Sequence, residues 1–257
     1  CPKYGLGKGI WFSIFHSISA FCNAGFDLMG TAEPFSSLTA QVGNWYVNLI
    51  IMSLIVVGGL GFFVWRDILN TRLHFTKMQL HTKLVLTVTA FLIISGSVLL
   101  FLFEHGTASF EGLTLSEQIA ASSFQSVSAR TAGFNTIDLA ALTESGRFLI
   151  IILMFIGASP GSTAGGIKTT TFAVLALSVV TTFRSRKSAE VFGRRLEEMI
   201  TRKATCIFML YLSLSLSVSM IIARIENIEF LDALFESVSA IATVGLSTGI
   251  TPGLLPL

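Results

Sequence analysis

The sequence predicts an all-α integral membrane protein built from a repeated unit of span, short helix, glycine loop and span. Three observations carry this. Of 257 residues, 52% are apolar and only 12% charged, about half the charged fraction of an ordinary soluble domain. With 22 Phe against 3 Tyr and a mean hydropathy of +0.75, the chain holds more apolar surface than a sphere of its size can hide, so a bilayer must take the rest. Third, one short motif recurs three times at nearly constant spacing. The same composition excludes disorder, collagen and a long coiled coil, and a net charge of +2 is too small to imply a nucleic-acid partner.

A spanning helix needs about 20 apolar residues, and three runs qualify without a charge: 45–65, 84–103 and 204–223. A fourth, 148–183, is long enough but is interrupted by Gly157-Ala158-Ser159-Pro160-Gly161-Ser162-Thr163-Ala164-Gly165-Gly166, which cannot stay regular helix. Runs 10–22, 119–129 and 230–244 are too short to cross, so they read as re-entrant or interfacial. The segments 66–83 and 184–203 hold four and seven of the seventeen Lys and Arg residues, which makes them cytoplasmic loops. Eleven of the fifteen acids and all three short runs then fall on the opposite, cation-attracting face.

The resulting organisation is a short helix, glycine loop and span over 1–67, a cytoplasmic loop over 68–83, and a unit with a broken second span over 84–183. A second cytoplasmic loop over 184–203 and a span, short helix and glycine loop over 204–257 complete it. No secretory leader is legible, and the sequence stops where a further span is expected, so it reads as part of a longer chain.

The recurring frame is Phe-x-Ser-(Ile/Val)-Ser-Ala, a short variable step, then Gly-(Phe/Leu), at 15–26, 124–134 and 235–246. Its glycines, Gly25, Gly133 and Gly245, are 108 and 112 residues apart, and the middle copy is one residue shorter before its glycine. A short helix entering from outside points its C-terminal carbonyls, and their partial negative charge, at the membrane centre. The backbone after it is non-helical at membrane depth, which is tolerated where it lines a watery cavity. Glycine lets carbonyls turn toward an axis, and rings of carbonyls can replace the water shell of a cation. The strands Cys22-Asn23-Ala24-Gly25, Arg130-Thr131-Ala132-Gly133 and Ala242-Thr243-Val244-Gly245 contain no acid, which favours a monovalent over a divalent ion.

Through these strands and through Ser159-Pro160-Gly161-Ser162-Thr163-Ala164-Gly165-Gly166-Ile167-Lys168-Thr169, the sequence resembles the Trk/Ktr/HKT superfamily of potassium transporters. Within it, the match is to the bacterial KtrB/TrkH-type membrane subunit, over essentially the whole chain. The resemblance implies four repeats around one pore of fourfold pseudosymmetry, with potassium as the transported ion and the three strands as the selectivity filters of repeats two to four. It implies that 157–166, with Lys168, is an intramembrane gate below the filter. It further implies a homodimer in the bacterial plasma membrane, a cytosolic nucleotide-binding regulatory subunit of the KtrA/TrkA type, and sodium as an activator. No covalently bound cofactor and no metal other than the transported ion is expected.

Other readings compete at single residues. The 157–166 segment is either a gate or a packing kink, and Lys168 either belongs to the gate or snorkels to the cytoplasmic edge. A phosphate-binding loop is refuted there, because Ile167 separates Gly166 from Lys168. Arg130 cannot face a cation and is expected to point back and pair with Glu236, Asp138 or Glu117. Gly58, Gly59 and Gly61 are expected to permit close helix packing. Cys1, Cys22 and Cys206 read as buried thiols, and the four histidines show no metal spacing. Nothing resembles a hydrolase motif, so an enzyme is not expected. The basic loops set topology or also hold lipid headgroups or a soluble partner. A secondary transporter with a broken-helix midplane site is the alternative of a different class.

Overall fold

The computed structural model describes residues 5–31, 36–185, 190–192, 194–195 and 197–251. Among them the elements are α-helical apart from short 3-10 turns and one small hairpin, Glu190–Val191 paired antiparallel with Arg194–Arg195, inside the second basic loop. Two helices are long and apolar enough to cross a bilayer, α4 (Leu80–Glu104) and α8 (Glu198–Glu226). At 1.5 Å per residue they run about 37 and 43 Å, more than the roughly 30 Å hydrocarbon core. Both start earlier than the uncharged runs that announced them, because the polar first turn of a spanning helix lies outside the hydrocarbon. The broken fourth span is α6 (Glu144–Phe155) and α7 (Thr169–Phe183), joined by irregular chain across which Ile156 and Ile167 form one parallel bridge.

The run 45–65 is not one straight span. Helix α2 (Trp45–Leu60) ends at Gly61, whose φ is +84°, and α3 (Phe62–Thr71) leaves at 94°. The last carbonyls of α2 are taken by donors from a segment a hundred residues away: Ser159 N on Gly59 O (3.1 Å), Thr163 N on Gly58 O (3.5 Å) and the Ser159 hydroxyl on Leu60 O. A helix end whose carbonyls find outside partners need not continue, and hydropathy alone carries no trace of such partners.

Three short helices, α1 (Gly5–Phe21), α5 (Leu115–Ser128) and α9 (Phe230–Ile241), coincide with the short apolar runs. Helix α5 starts in a capping box: the Thr114 hydroxyl accepts from Glu117 N, and Glu117 accepts from Thr114 N (2.9 Å). The Thr114 backbone N–H, then its hydroxyl, hold the Glu117 carboxyl below the usual carboxylate range. The repeat phenylalanines Phe124 and Phe235 are completely buried, which seats α5 and α9 in the interior. One core, with Leu100, Leu149, Ile150 and Met154, lies among α4, α6 and α9; another, with Ile51, Ile55, Phe124 and Phe134, lies between α2 and α5. Helix α5 therefore stands between two apolar cores.

Glu104, at the end of α4, is fully buried and forms no ion pair among the described residues. Its carboxylate accepts from the hydroxyls of Thr107 (3.1 Å), Ser109 (2.7 Å) and Thr143 (2.6 Å) and from Thr143 N (3.2 Å). Thr143 is in turn the N-cap of α6, so one carboxylate ties the end of α4 to the start of α6. Glu104→Leu strands four donors and should destabilise the detergent-solubilised protein by about 2–4 kcal/mol, read as a lowered Tm. An unchanged Tm would mean that this carboxylate does not fasten the two helices.

Candidate functional site

Each short helix ends in a strand of the same backbone form. The residue two before the glycine and the glycine itself both have positive φ: Asn23 (+50°) and Gly25 (+73°), Thr131 (+72°) and Gly133 (+84°), Thr243 (+57°) and Gly245 (+87°). The residues between, Ala24, Ala132 and Val244, do not. Threonine is β-branched and avoids the left-handed region, at a cost of about 1–2 kcal/mol per residue. Two threonines held there imply that the surroundings dictate the shape. Alternation of left- and right-handed residues is the form that turns successive carbonyls to one side.

The three strands meet. A Cβ added to Gly25 would stand 2.6 Å from Ala132 O and 3.0 Å from Gly133 Cα; one on Gly133 would stand 2.3 Å from Val244 O and 3.1 Å from Gly25 Cα. Gly245 is the loosest, its nearest neighbour being Gly133 Cα at 4.0 Å from such an atom. All three glycines line a cavity of about 460 Å³, together with Asp27 and Asp138. The two carboxylates accept from nearby main-chain N–H groups, Met29 and Gly30 for Asp27 and Ala140 for Asp138.

The second serine of the repeated frame has a job that the sequence reading missed. Ser19 Oγ donates to Phe26 O (2.8 Å), Ser239 Oγ to Leu246 O (2.6 Å), and Ser128 Oγ to Phe134 O. Each bond ties the short helix to the residue just past its glycine, closing the strand into a small ring. Backbone bonds to the same serines, Ala24 N to Ser19 O, Ala132 N to Ser128 O and Val244 N to Ser239 O (2.8–2.9 Å), complete it. The signal is present in the frame: serine recurs here in all three copies, as it does two residues earlier, and is followed each time by alanine.

Across the other end of the strands lies the irregular chain between α6 and α7, which touches all three. Thr163 Oγ1 accepts from Asn23 Nδ2 (2.8 Å) and donates to Phe21 O (3.1 Å); Gly165 N donates to Thr131 Oγ1 (3.2 Å). A Cβ on Gly165 would overlap Thr243 Oγ1 at 1.9 Å. Ser159 and Thr163 also close α2, as described, and Gly58, Gly59 and Gly61 give the room: a Cβ on Gly58 would stand 1.9 Å from Phe21 O, and one on Gly61 2.7 Å from Pro160 O. Close packing is thus real here, but against a loop and a helix end. Gly157, Ala158, Ser162, Ala164 and Gly166 complete the loop, and Thr169 N returns to Ala158 O (3.0 Å). Lys168 Nζ donates to Ala164 O (2.7 Å) and Gly165 O (3.4 Å), so its charge folds back on the loop.

Arg130 points away from the strand axis, but its expected acidic partner is not there. Its Nη2 donates to Gly157 O (3.4 Å), at the start of the loop. Glu236 is engaged by Ser247, Thr248 and Thr251, Glu117 by Thr114 and Asp138 by Ala140. A main-chain carbonyl thus stands where a carboxylate is expected, and Arg130 Nε is buried without a hydrogen-bond partner among the described residues. The thiols also differ from expectation: Cys22 and Cys206 are exposed, Cys206 on the lightly covered α8, where lipid, not protein, would cover an apolar thiol. Cys1 lies outside the described residues.

Long apolar helices and three short helices whose following strands meet define a protein of the membrane-transporter class. A profile of the TrkH family, described as cation transport protein, matches residues 4–256, and the chain belongs to that family. It is 42% identical over 98% of its length to the potassium/sodium uptake protein NtpJ of Enterococcus hirae and 39% identical, again over 98%, to the Ktr system potassium uptake protein B of Bacillus subtilis. Its fold matches the crystal structure of the potassium transporter TrkH from Vibrio parahaemolyticus with a TM-score of 0.72 over 91% of this chain, at 18% identity. The chain spans about half of these relatives: 56% of the two curated proteins and 50% of the TrkH chain. These relatives are cation transport proteins, not enzymes.

Proposed function

We propose that the chain forms most of a gated, potassium-selective pathway through the bacterial plasma membrane. The three glycine strands serve as filter walls and the 157–166 loop, with Lys168, as the gate. The observation that carries this reading is the mutual contact of three strands with one backbone form, open to a cavity on one side and crossed by the loop on the other. Neutral carbonyls suit a dehydrated monovalent cation, and Asp27 and Asp138 at the cavity would raise its local concentration. A fourth strand is required to close the ring around the axis, in keeping with a family architecture of four repeats.

The names of two relatives, a potassium/sodium uptake protein and a Ktr system potassium uptake protein, support potassium as cargo; sodium as an activator is part of the proposal and follows from the family resemblance alone. The second name, a lettered protein of a system, supports a partner subunit; that this partner is a cytosolic, nucleotide-binding regulator of the KtrA/TrkA type, docking on the basic loops of a homodimer, is part of the proposal and follows from the family resemblance. The test is rubidium uptake by cells that lack their own potassium systems and express the full-length protein. Fast entry that follows the electrochemical gradient and resists competition by sodium is expected. Slow, saturating flux at fixed stoichiometry with sodium or protons would overturn the pore reading in favour of a carrier.

A further inference from the structure

The residue that follows the repeat phenylalanine differs in every copy: His16, Gln125 and Glu236. All three are polar side chains on short helices, and all three are buried, an arrangement that costs free energy unless each meets a partner. His16 Nε2 accepts from Leu28 N at 3.4 Å, and Leu28 is the third residue past Gly25. Glu236 Oε1 accepts from Thr248 N at 2.9 Å, and Thr248 is the third residue past Gly245. Two different side chains thus reach the same main-chain N–H, twelve positions on in both copies. Glu236 grips harder, taking also the hydroxyls of Ser247 (2.7 Å), Thr248 (3.3 Å) and, on its other oxygen, Thr251 (2.7 Å). In the third copy the corresponding pair is Gln125 and Thr136, eleven positions apart because that copy is one residue shorter. Here the Gln125 amide and the Thr136 hydroxyl are buried without a hydrogen-bond partner.

We propose that His16 and Glu236 are positioning residues for ion selection: each clamps the chain three residues past its glycine and so fixes the outer end of the filter strand, while the equivalent clamp at Gln125 is open. This rests on the reading of the glycine strands as a filter. The serine ties hold the residue next to each glycine, and the clamps hold the chain two residues farther out, so a strand with both is fixed at two successive points. The Gly133 strand has the serine tie but not the clamp; beyond its glycine it is held by the neighbouring chain, through Asn135 N on Ser37 Oγ (3.3 Å) and Leu38 N on Asn135 O (3.0 Å), and it is the one wedged between Gly25 and Val244.

The experiment measures sodium inhibition of rubidium uptake by the full-length protein, alongside its amount in the membrane. His16→Leu should lower the preference for rubidium over sodium by roughly threefold to tenfold, the range of one lost hydrogen bond, and Glu236→Leu, which loses four, by at least as much. His16→Gln and Glu236→Gln, which keep an acceptor oxygen, should restore it. Gln125→Leu should leave the preference unchanged, since it removes no bond. If a leucine variant fails to reach the membrane, His16→Asn and Glu236→Asp, which keep polarity but shorten the reach, carry the same expected loss. Uptake that falls equally for both ions, or glutamine variants no better than leucine, would overturn the proposal and leave a packing role. Wild-type protein without any preference for rubidium would instead overturn the filter reading itself.

Discussion

Replacing Gly133 by alanine should all but abolish potassium-selective uptake, by roughly a hundredfold, while Gly245→Ala should cost closer to tenfold. Both positions have positive φ, and a side chain there costs about 1–2 kcal/mol in backbone strain alone, where 1.4 kcal/mol is a factor of ten. They differ in what the new methyl group meets. At Gly133 it lies 2.3 Å from the Val244 carbonyl oxygen, a proposed ion ligand, and 3.1 Å from Gly25 Cα; at Gly245 nothing comes nearer than 4.0 Å. The first change must move a neighbouring strand, whereas the second only strains its own. Gly25→Ala, 2.6 Å from Ala132 O, should fall between them. Rubidium and sodium uptake by the three variants, corrected for protein in the membrane, checks the order. Equal effects at all three positions would show that contact between strands does not set selectivity.

Deleting residues 161–165 should raise the maximal rate of rubidium entry several-fold with little loss of preference over sodium. The loop crosses the ends of all three strands, yet the strands keep their shape through Ser19, Ser128 and Ser239, none of which the loop touches through these bonds. Its own attachments number a handful of hydrogen bonds to Asn23, Thr131, Phe21 and the end of α2, each worth about 1 kcal/mol net. That scale suits a two-state element, since a few kcal/mol is what a ligand or partner can supply to move a population. Unchanged or reduced entry after the deletion would make the segment a packing element.

Much of this arrangement was legible in the residues. Length and charge separated long helices from short ones, and the recurrence of Phe-x-Ser-x-Ser-Ala marked the short helices and the chain that follows them. What stayed hidden depended on partners distant in sequence. The 94° bend after Leu60 arises because Ser159 and Thr163 supply the donors that a continuing helix would have supplied, and no local pattern records them. The partner of Arg130 was sought among carboxylates because formal charges are visible in a sequence. The carbonyl of Gly157 that serves instead is a main-chain feature common to every residue. The exposure of Cys206 is hidden for a related reason: burial habits drawn from soluble proteins do not hold where the solvent is lipid. The second serine and the residue after phenylalanine were in plain view, but their roles required knowing which carbonyl or N–H came back to meet them.

The closure of α2 by Ser159 and Thr163 has a consequence for how the passage could unblock. While the loop stays in place, the carbonyls of Gly58, Gly59 and Leu60 are paired without solvent. If it withdraws, those oxygens need new donors at a depth where lipid offers none, so water has to enter as the loop leaves. Unblocking is then a wetting transition, and solutes too large to enter the lumen should oppose it by osmotic stress.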